Sequence, residues 1–136
     1  MSSKQTRTAR PRRRPRMLVA DRSRHFRETL RRVLPHYLSC TVVGEAGTLA
    51  EAVRLARSLR PDVALLDIDL VIGEPPTRLR RIAEAFPDLR VVVMLNEESP
   101  HYRLAVTERW GYVCIVKDQA ENQLARIISA IRPVAV

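Results

Sequence analysis

Short apolar runs alternate with amphipathic segments along most of the chain. The runs are apolar at consecutive positions, which is typical of strands covered on both faces of a sheet. They lie at 16–21, 40–45, 62–67, 90–95 and 112–116. The segments that follow them carry apolar residues at helical spacing, over 23–37, 48–60, 76–87, 99–110 and 123–131. This alternation predicts an α/β fold, a doubly wound parallel five-stranded sheet wrapped by helices.

The starts of three predicted helices carry capping signals. Ser23 precedes the first helical segment, and Thr48 stands three residues before Glu51, which is the spacing of a capping box. Ser99 is followed by Pro100, a residue favoured in the first helical turn. These signals place each helix directly after a strand and its short loop.

Charge is concentrated at the amino terminus. The chain has 24 Lys and Arg against 15 Asp and Glu, formally +9. Residues 1–16 hold seven of the basic residues and no acid. We therefore expect a basic disordered tail at 1–15 and one domain at 16–136. The tail is interpreted as a solvated leader or as an arm that binds nucleic acid; an organellar transit peptide is disfavoured because no amphipathic pattern is visible.

The chain shows no targeting or redox framework. It has no apolar run of secretory or membrane-spanning length, which predicts a soluble, cytoplasmic protein without a membrane partner. Cys40 and Cys114 lack the spacing of metal ligands, so we expect two reduced thiols in the core.

Candidate chemistry lies where the predicted strands end. The run PDVALLDIDL ends a buried strand in Asp67, with Asp69 two residues later. Asp21 follows the first strand and Lys117 the fifth. The carboxyl ends of parallel strands meet at one edge of the sheet, where such folds place their functional sites. Carboxylates that can hold Mg²⁺, beside an ammonium group, indicate phosphoryl chemistry.

The segments MLVAD, RPDVALLDIDL and YVCIVKD, in this order and spacing, resemble the receiver domain of two-component response regulators. The resemblance covers about residues 16–132 and implies a flavodoxin-like strand order 2-1-3-4-5. It implies Asp67 as phosphoacceptor, Asp21 as part of an acidic pocket and Lys117 as the phosphate-contacting residue. Asp21 and Asp67 would also be the Mg²⁺ ligands.

The resemblance also implies partners. It suggests a sensor histidine kinase or another signalling protein, and a homodimer through the face of the fourth and fifth helices. In the implied strand order the second and fifth strands lie at opposite edges. Cys40 and Cys114 would then be too far apart for a disulfide.

Several positions depart from the family pattern. Arg22 stands where a second metal-binding acid is usual. Leu95 stands where a Thr or Ser hydroxyl usually contacts the phosphate, unless a one-residue shift puts Asn96 there. Cys114 replaces the switch aromatic on the fifth strand, and Val71 replaces a proline.

These departures predict weak Mg²⁺ binding, because Arg22 removes a carboxylate and adds a cation. Its guanidinium either pairs with Asp67 or points into solvent.

Two functions from different classes follow. The first is an atypical single-domain receiver, phosphorylated on Asp67, with no enzyme activity of its own. The second is a degenerate receiver that acts as a phosphorylation-independent interaction module. Because little chain follows residue 132, we expect output through partners. A topoisomerase–primase type enzyme would need a glutamate after the first strand, and a flavin module would need a hydroxyl- and glycine-rich loop in place of DRSRHF.

Overall fold

Five parallel strands form one sheet in the computed structural model, which describes residues 14–130 apart from the side chain of residue 121. Their order is β2-β1-β3-β4-β5, as the resemblance implied. The strands are β1 (Arg16–Ala20), β2 (Thr41–Ala46), β3 (Val63–Asp67), β4 (Arg90–Leu95) and β5 (Val113–Val116). The predicted strands are thus all confirmed, with ends shifted by at most one residue.

Each strand is followed by a helix. The helices are α1 (Arg24–Tyr37), α2 (Leu49–Leu59), α3 (Pro76–Ala85), α4 (Pro100–Leu104) and α5 (Ala120–Ala130). Three short elements join them: a one-turn helix (Ile68–Val71) after β3, a π-helix (Ala105–Arg109) after α4 and a 3₁₀ turn (Lys117–Gln119) after β5. The fold is therefore the doubly wound sheet that the alternating pattern predicted.

Two apolar layers hold the helices against the sheet. On one face, Leu34 of α1 and Leu124 of α5 are fully buried beside alternate strand residues such as Leu65. On the other face, Ala56 of α2 and Leu79 of α3 pack against the opposite strand residues. Because every strand is covered on both sides, its residues are apolar at successive positions.

The predicted caps form. The Ser23 hydroxyl accepts a hydrogen bond from the Phe26 N–H at 3.1 Å, and the Thr48 hydroxyl accepts one from the Glu51 N–H at 3.1 Å. The Glu51 carboxylate reaches back to the N–H of Gly47, one residue before the cap. These bonds fix where α1 and α2 begin, and so fix the loops at the carboxyl edge of the sheet.

Two helices differ from the simple prediction. The segment 99–110 is not one α-helix, because α4 gives way to π-type bonding at Ala105 and the N–H of Trp110 bonds back to the Ala105 carbonyl. Pro35 lies inside α1, two residues before its end. Proline removes one helical hydrogen bond, which is tolerated here because the helix is already ending.

The first described residues already belong to the sheet, and both thiols lie in its apolar layers. The Pro15 carbonyl already accepts a hydrogen bond from the N–H of Thr41, so pairing with β2 starts there. The predicted tail falls mostly at residues 1–13, outside the described part. Cys40 and Cys114 are free, buried, and in apolar layers on opposite faces of the sheet. Within 14–130 no helix has the length and apolar character needed to cross a bilayer.

Candidate functional site

Three strand ends bring Asp21, Asp67 and Lys117 together. Asp21 directly follows β1, Asp67 is the last residue of β3, and Lys117 directly follows β5. The Lys117 Nζ donates a hydrogen bond to Asp21 Oδ2 at 2.8 Å and lies 3.3 Å from Asp67 Oδ1. One ammonium group therefore lies between two carboxylates that come from different strands.

Both carboxylates are buried. Asp21 is 2% exposed and Asp67 is 3% exposed, and they are the two charged residues buried within the described chain. Two ionised carboxylates with one ammonium give this cluster a formal charge of about −1. Burial of unbalanced charge is costly, so a further cation at this cluster would be stabilising.

Asp21 is held on every side. Its Oδ1 accepts from the Ser23 N–H at 2.8 Å, its own N–H donates to the Ala46 carbonyl at 2.9 Å, and its carbonyl accepts from Arg27 Nη1 at 2.6 Å. These bonds fix the orientation of the Asp21 carboxylate. Asp21 is thus well placed to orient Lys117. The same bonds leave its own carboxylate little freedom to react.

Asp67 is less well satisfied. Its Oδ1 is buried without a hydrogen bond from any described residue, since the contact with the Lys117 ammonium is an ion pair and not a hydrogen bond. Burial, and next the charge of Asp21, raise the pKa of the Asp67 carboxyl, while Lys117 opposes the shift. Asp67 is therefore a buried carboxyl with one oxygen free of hydrogen bonds and a raised pKa, which makes it the candidate for chemistry at this edge.

An aromatic ring supports the lysine. The Lys117 Nζ lies 4.5 Å from the centroid of the Phe26 ring, within the range of a cation–π interaction. The sequence analysis missed this role because Phe26 fits the apolar stripe of α1. No local signal distinguishes a core aromatic from one that contacts a cation far along the chain. Lys117 follows Phe26 by 91 positions.

The pairing considered between Arg22 and Asp67 does not form. Arg22 is exposed, and it makes no ion pair with any residue of the part that the structure describes. The cation beside Asp67 is instead Lys117, which directly follows β5. In the sheet, β4 lies between β5 and the strand β3 that ends in Asp67. Arg22 lies one residue past the bonded Asp21, where the chain turns toward Ser23 and into solvent.

The end of β4 offers no polar side chain inside the cluster. Leu95 is buried and pairs in register with Val116 of β5. Asn96, the next residue, is exposed, and its amide Nδ2 lies 3.4 Å from Asp69 Oδ2. Leu95 therefore occupies the last strand position, and Asn96 lies at the rim beside the loop that follows Asp67.

Cys114 lies in β5 beside a pair of charged side chains. Burial raises the pKa of its thiol, Arg103 opposes this shift, and Glu98 adds to it. Arg103 and Glu98 form two hydrogen bonds with each other, both 2.8 Å long. The partly exposed Glu98–Arg103 ion pair therefore lies near Cys114, the position where the family has its switch aromatic.

The loop after Asp67 turns sharply. The one-turn helix (Ile68–Val71) buries Val71 completely, and the Glu74 N–H then bonds to the Val71 carbonyl at 3.1 Å. Gly73 has a φ of 106°, a conformation that favours glycine. Val71, the residue at the family's proline position, thus acts as an apolar anchor for this loop.

The metal-ligand set is small. No group of three or more His, Cys, Asp or Glu residues suited to a metal is present within the described chain. Asp21 and Asp67 supply two carboxylates, and Asp67 Oδ1 is free of hydrogen bonds. Mg²⁺ commonly keeps several waters and binds one or two carboxylates plus a phosphate. The number and type of these two donors are compatible with Mg²⁺.

Comparison with known proteins decides the family. Residues 17–129 match the response regulator receiver domain. The chain belongs to that family. It is a receiver domain of two-component signalling. The family match therefore favours neither of the two alternatives, a topoisomerase–primase type enzyme or a flavin module.

Several curated relatives of this receiver are response regulators. The response regulator GacA of Pseudomonas viridiflava is 33% identical over 119 residues, which cover 86% of this chain and 53% of GacA. The DNA-binding transcriptional activator DevR/DosR of Mycobacterium tuberculosis is 34% identical over 90 residues, 66% of this chain and 42% of that protein. The receiver chain spans about half the length of such relatives.

Solved structures show the same fold. The signal receiver domain of the putative response regulator NarL from M. tuberculosis superposes with a TM-score of 0.71, at 25% identity, over 86% of this chain and 94% of that one. The response regulator domain of Thermotoga maritima CheB superposes with a TM-score of 0.70 at 24% identity, over 89% of this chain and 100% of that one.

Proposed function

We propose that this receiver accepts a phosphoryl group on Asp67 and does so poorly, as an atypical member of its family. The observation that carries the proposal is the unbonded, buried Asp67 Oδ1, 3.3 Å from the ammonium of Lys117. A carboxylate oxygen in this position is a nucleophile toward phosphorus, and the ammonium would offset charge on the transferred oxygens. Asp21 would hold Lys117 in place through its 2.8 Å hydrogen bond.

In the proposed reaction an ionised Asp67 oxygen forms a bond to phosphorus. The bond from phosphorus to the donor's nitrogen or oxygen breaks, and the donor leaves with that electron pair. Because the pKa of Asp67 is raised by burial, protonation would stop the reaction at a higher pH than for an exposed aspartate. Lys117 would remain beside the product and contact the phosphoryl oxygens.

Mg²⁺ is part of this proposal as a weak ligand. Asp21 and Asp67 would hold it, and when bound it would supply positive charge against the phosphoryl oxygens. Arg22 offers no third oxygen, and Leu95 offers no hydroxyl. The Asn96 amide Nδ2 lies 3.4 Å from Asp69 Oδ2, and we propose Asn96 as a substitute contact at the rim.

The proposed partner that donates the phosphoryl group is a sensor histidine kinase. A homodimer through the face of α4 and α5 is also proposed, supported by the exposed apolar side chains of Tyr102 and Leu104 on α4. Nucleic acid binding would fall to the basic residues before Arg14, outside the described part. We further propose a cytoplasmic location and no enzyme activity in this chain.

The competing function is an interaction module that no longer uses phosphate. The exposed Arg22 and the buried Leu95 and Cys114 favour it, because each removes a group that the family uses to bind metal or phosphate or to relay its arrival. Retention of Asp21, Asp67 and Lys117 in contact favours phosphorylation instead.

Intact-mass measurement separates the two. The chain is incubated with an acyl phosphate or phosphoramidate donor and Mg²⁺, beside Asp67→Asn and a conventional receiver. We expect a single phosphoryl adduct that is absent from the Asp67→Asn variant and forms more slowly than on the conventional receiver. A folded chain that gains no adduct while the conventional receiver is labelled would support the interaction module and overturn our proposal.

A further inference from the structure

A groove with an apolar floor runs between α2 and α3, from the starts of the two helices at Ala50 and Thr77 to Arg57 and Phe86 near their ends. Its cavity volume is about 570 Å³, which is within the range of ligand-binding clefts. The floor is formed by Val53 of α2, Ile82 of α3 and Phe86, the residue after α3, and all three are partly exposed. Ala50 and Ala85 flank them, and because alanine is too short to bridge the helices, the α2–α3 groove stays open.

Arginines surround this floor. Arg57 of α2 and Arg78 and Arg81 of α3 line the cavity, and no carboxylate is among its lining residues. Arg78 pairs with Glu74 at 3.3 Å. Arg57 and Arg81 are exposed and make no side-chain hydrogen bond or ion pair with residues 14–130. Two guanidinium groups that make no ion pair within residues 14–130 thus line one partly exposed apolar surface.

The adjoining end of the groove is different. A second cavity of about 460 Å³ shares Arg57 and Phe86, and it is lined also by Arg60, Asp62 and Asp88. Charge there is balanced. An anionic ligand would therefore lie toward Arg57 and Arg81, and its uncharged part would extend toward the balanced end.

We propose that the α2–α3 groove docks an acidic amphipathic segment of a partner protein. Apolar side chains at helical spacing would fill the floor at Val53, Ile82 and Phe86, in the manner of a helix bound in a groove. Carboxylates beside them would pair with Arg57 and Arg81, whose planar guanidinium groups suit carboxylates. A nucleic-acid backbone would match the arginines and leave the apolar floor unfilled.

This docking does not require phosphate on Asp67. Its test is therefore independent of the test of the proposed function. The test uses the full chain and a displayed library of random short peptides. We expect enrichment of peptides that combine apolar residues at helical spacing with Asp or Glu. Their affinity should fall at least roughly tenfold in Arg57→Glu/Arg81→Glu, because each new carboxylate repels a ligand carboxylate.

Matched controls separate the groove from general charge. Arg54→Glu/Arg80→Glu makes the same charge change on the same two helices outside the groove, and it should leave peptide affinity unchanged. Ala85→Leu should weaken binding by filling the groove without changing charge. Failure to enrich acidic amphipathic peptides, or equal loss in both double variants, contradicts the proposal. Binding of a labelled oligonucleotide that only the groove variant loses, without peptide binding, would assign the groove to nucleic acid instead.

Discussion

Two regions of this receiver differ sharply although both include residues in or directly after β5. At the carboxyl edge, Asp21, Asp67 and Lys117 lie in direct contact, as phosphoryl chemistry would need. At the β4–β5 corner, which we define by Leu95, Cys114 and the Glu98–Arg103 pair, the family's hydroxyl and aromatic are missing. The groups proposed to accept a phosphoryl group are retained, whereas the groups that would report its arrival are replaced.

This difference teaches that the two tasks are physically separable. The carboxyl edge needs charges at contact distance, which three strand ends supply from residues far apart in sequence. At the β4–β5 corner the family pattern has a hydroxyl that contacts the phosphate and a switch aromatic, where this chain has Leu95 and Cys114. Leu95 is packed in register with Val116 and cannot hydrogen-bond a phosphate. Phosphorylation would therefore leave β4 without its usual driver.

The strongest disruption should come from Lys117→Met. It removes the cation from two buried carboxylates, which typically costs about 3–5 kcal/mol of folding free energy. We expect this loss in urea unfolding at neutral pH, together with no phosphoryl adduct. Adding Asp67→Asn to Lys117→Met should recover more stability than Asp67→Asn adds to the wild type, since the buried charge that lost its cation is then gone. Additive effects of the two substitutions would contradict the coupling that the 3.3 Å contact implies.

Arg22→Asp should sharpen the contrast by restoring an acid beside the carboxyl edge. A third carboxylate next to Asp21 is expected to raise Mg²⁺ affinity by roughly tenfold, about 1.4 kcal/mol. Titration of Mg²⁺ followed by isothermal calorimetry would measure this, with faster adduct formation in the mass assay. Arg24→Asp, two residues away and exposed, is the matched control and should change neither. Unchanged affinity in Arg22→Asp would show that Arg22 does not limit the site.

Asp67→Asn should stabilise the fold at neutral pH by ~1 kcal/mol, a typical size for one substitution. The folded-state pKa of Asp67 is raised, so ionisation of this buried carboxyl costs stability as pH rises from the unfolded-state pKa through the folded-state pKa. Below that pH window Asp67 is uncharged in both the folded and the unfolded state, so the stability that Asp67→Asn adds should disappear. Urea unfolding of wild type and variant across acid and neutral pH tests this sign. A variant less stable than wild type at neutral pH would refute it.

Tyr112→Phe probes the side of the sheet behind the β4–β5 corner. The buried Tyr112 hydroxyl donates a 2.7 Å hydrogen bond to the Leu79 carbonyl, which ties the start of β5 to α3. Its loss should cost about 1 kcal/mol in urea unfolding. The rate of adduct formation should not change, because Asp67 and Lys117 are untouched. A slower rate would show that the two regions are coupled through α3.

The fold was predictable because its signals are local. Consecutive apolar residues in β3 and β4 indicated strands covered on both faces, and Ser23 and Thr48 marked the starts of α1 and α2. The break of the segment 99–110 into α4 and a π-helix was not predictable from its apolar spacing. Both forms put Val106 toward the core, and the choice rests on bonds such as that from the Tyr112 N–H to the Val106 carbonyl.

The sequence by itself determined which residues reach the carboxyl edge, since strand order and strand ends place Asp21, Asp67 and Lys117 there. Only the tertiary structure decided which charges meet. Arg22 is adjacent to Asp21 in sequence yet points into solvent, while Lys117 lies between both carboxylates and over Phe26. The physical reason is that ion pairing depends on side-chain direction and burial across β1, β3 and β5, which no local pattern records.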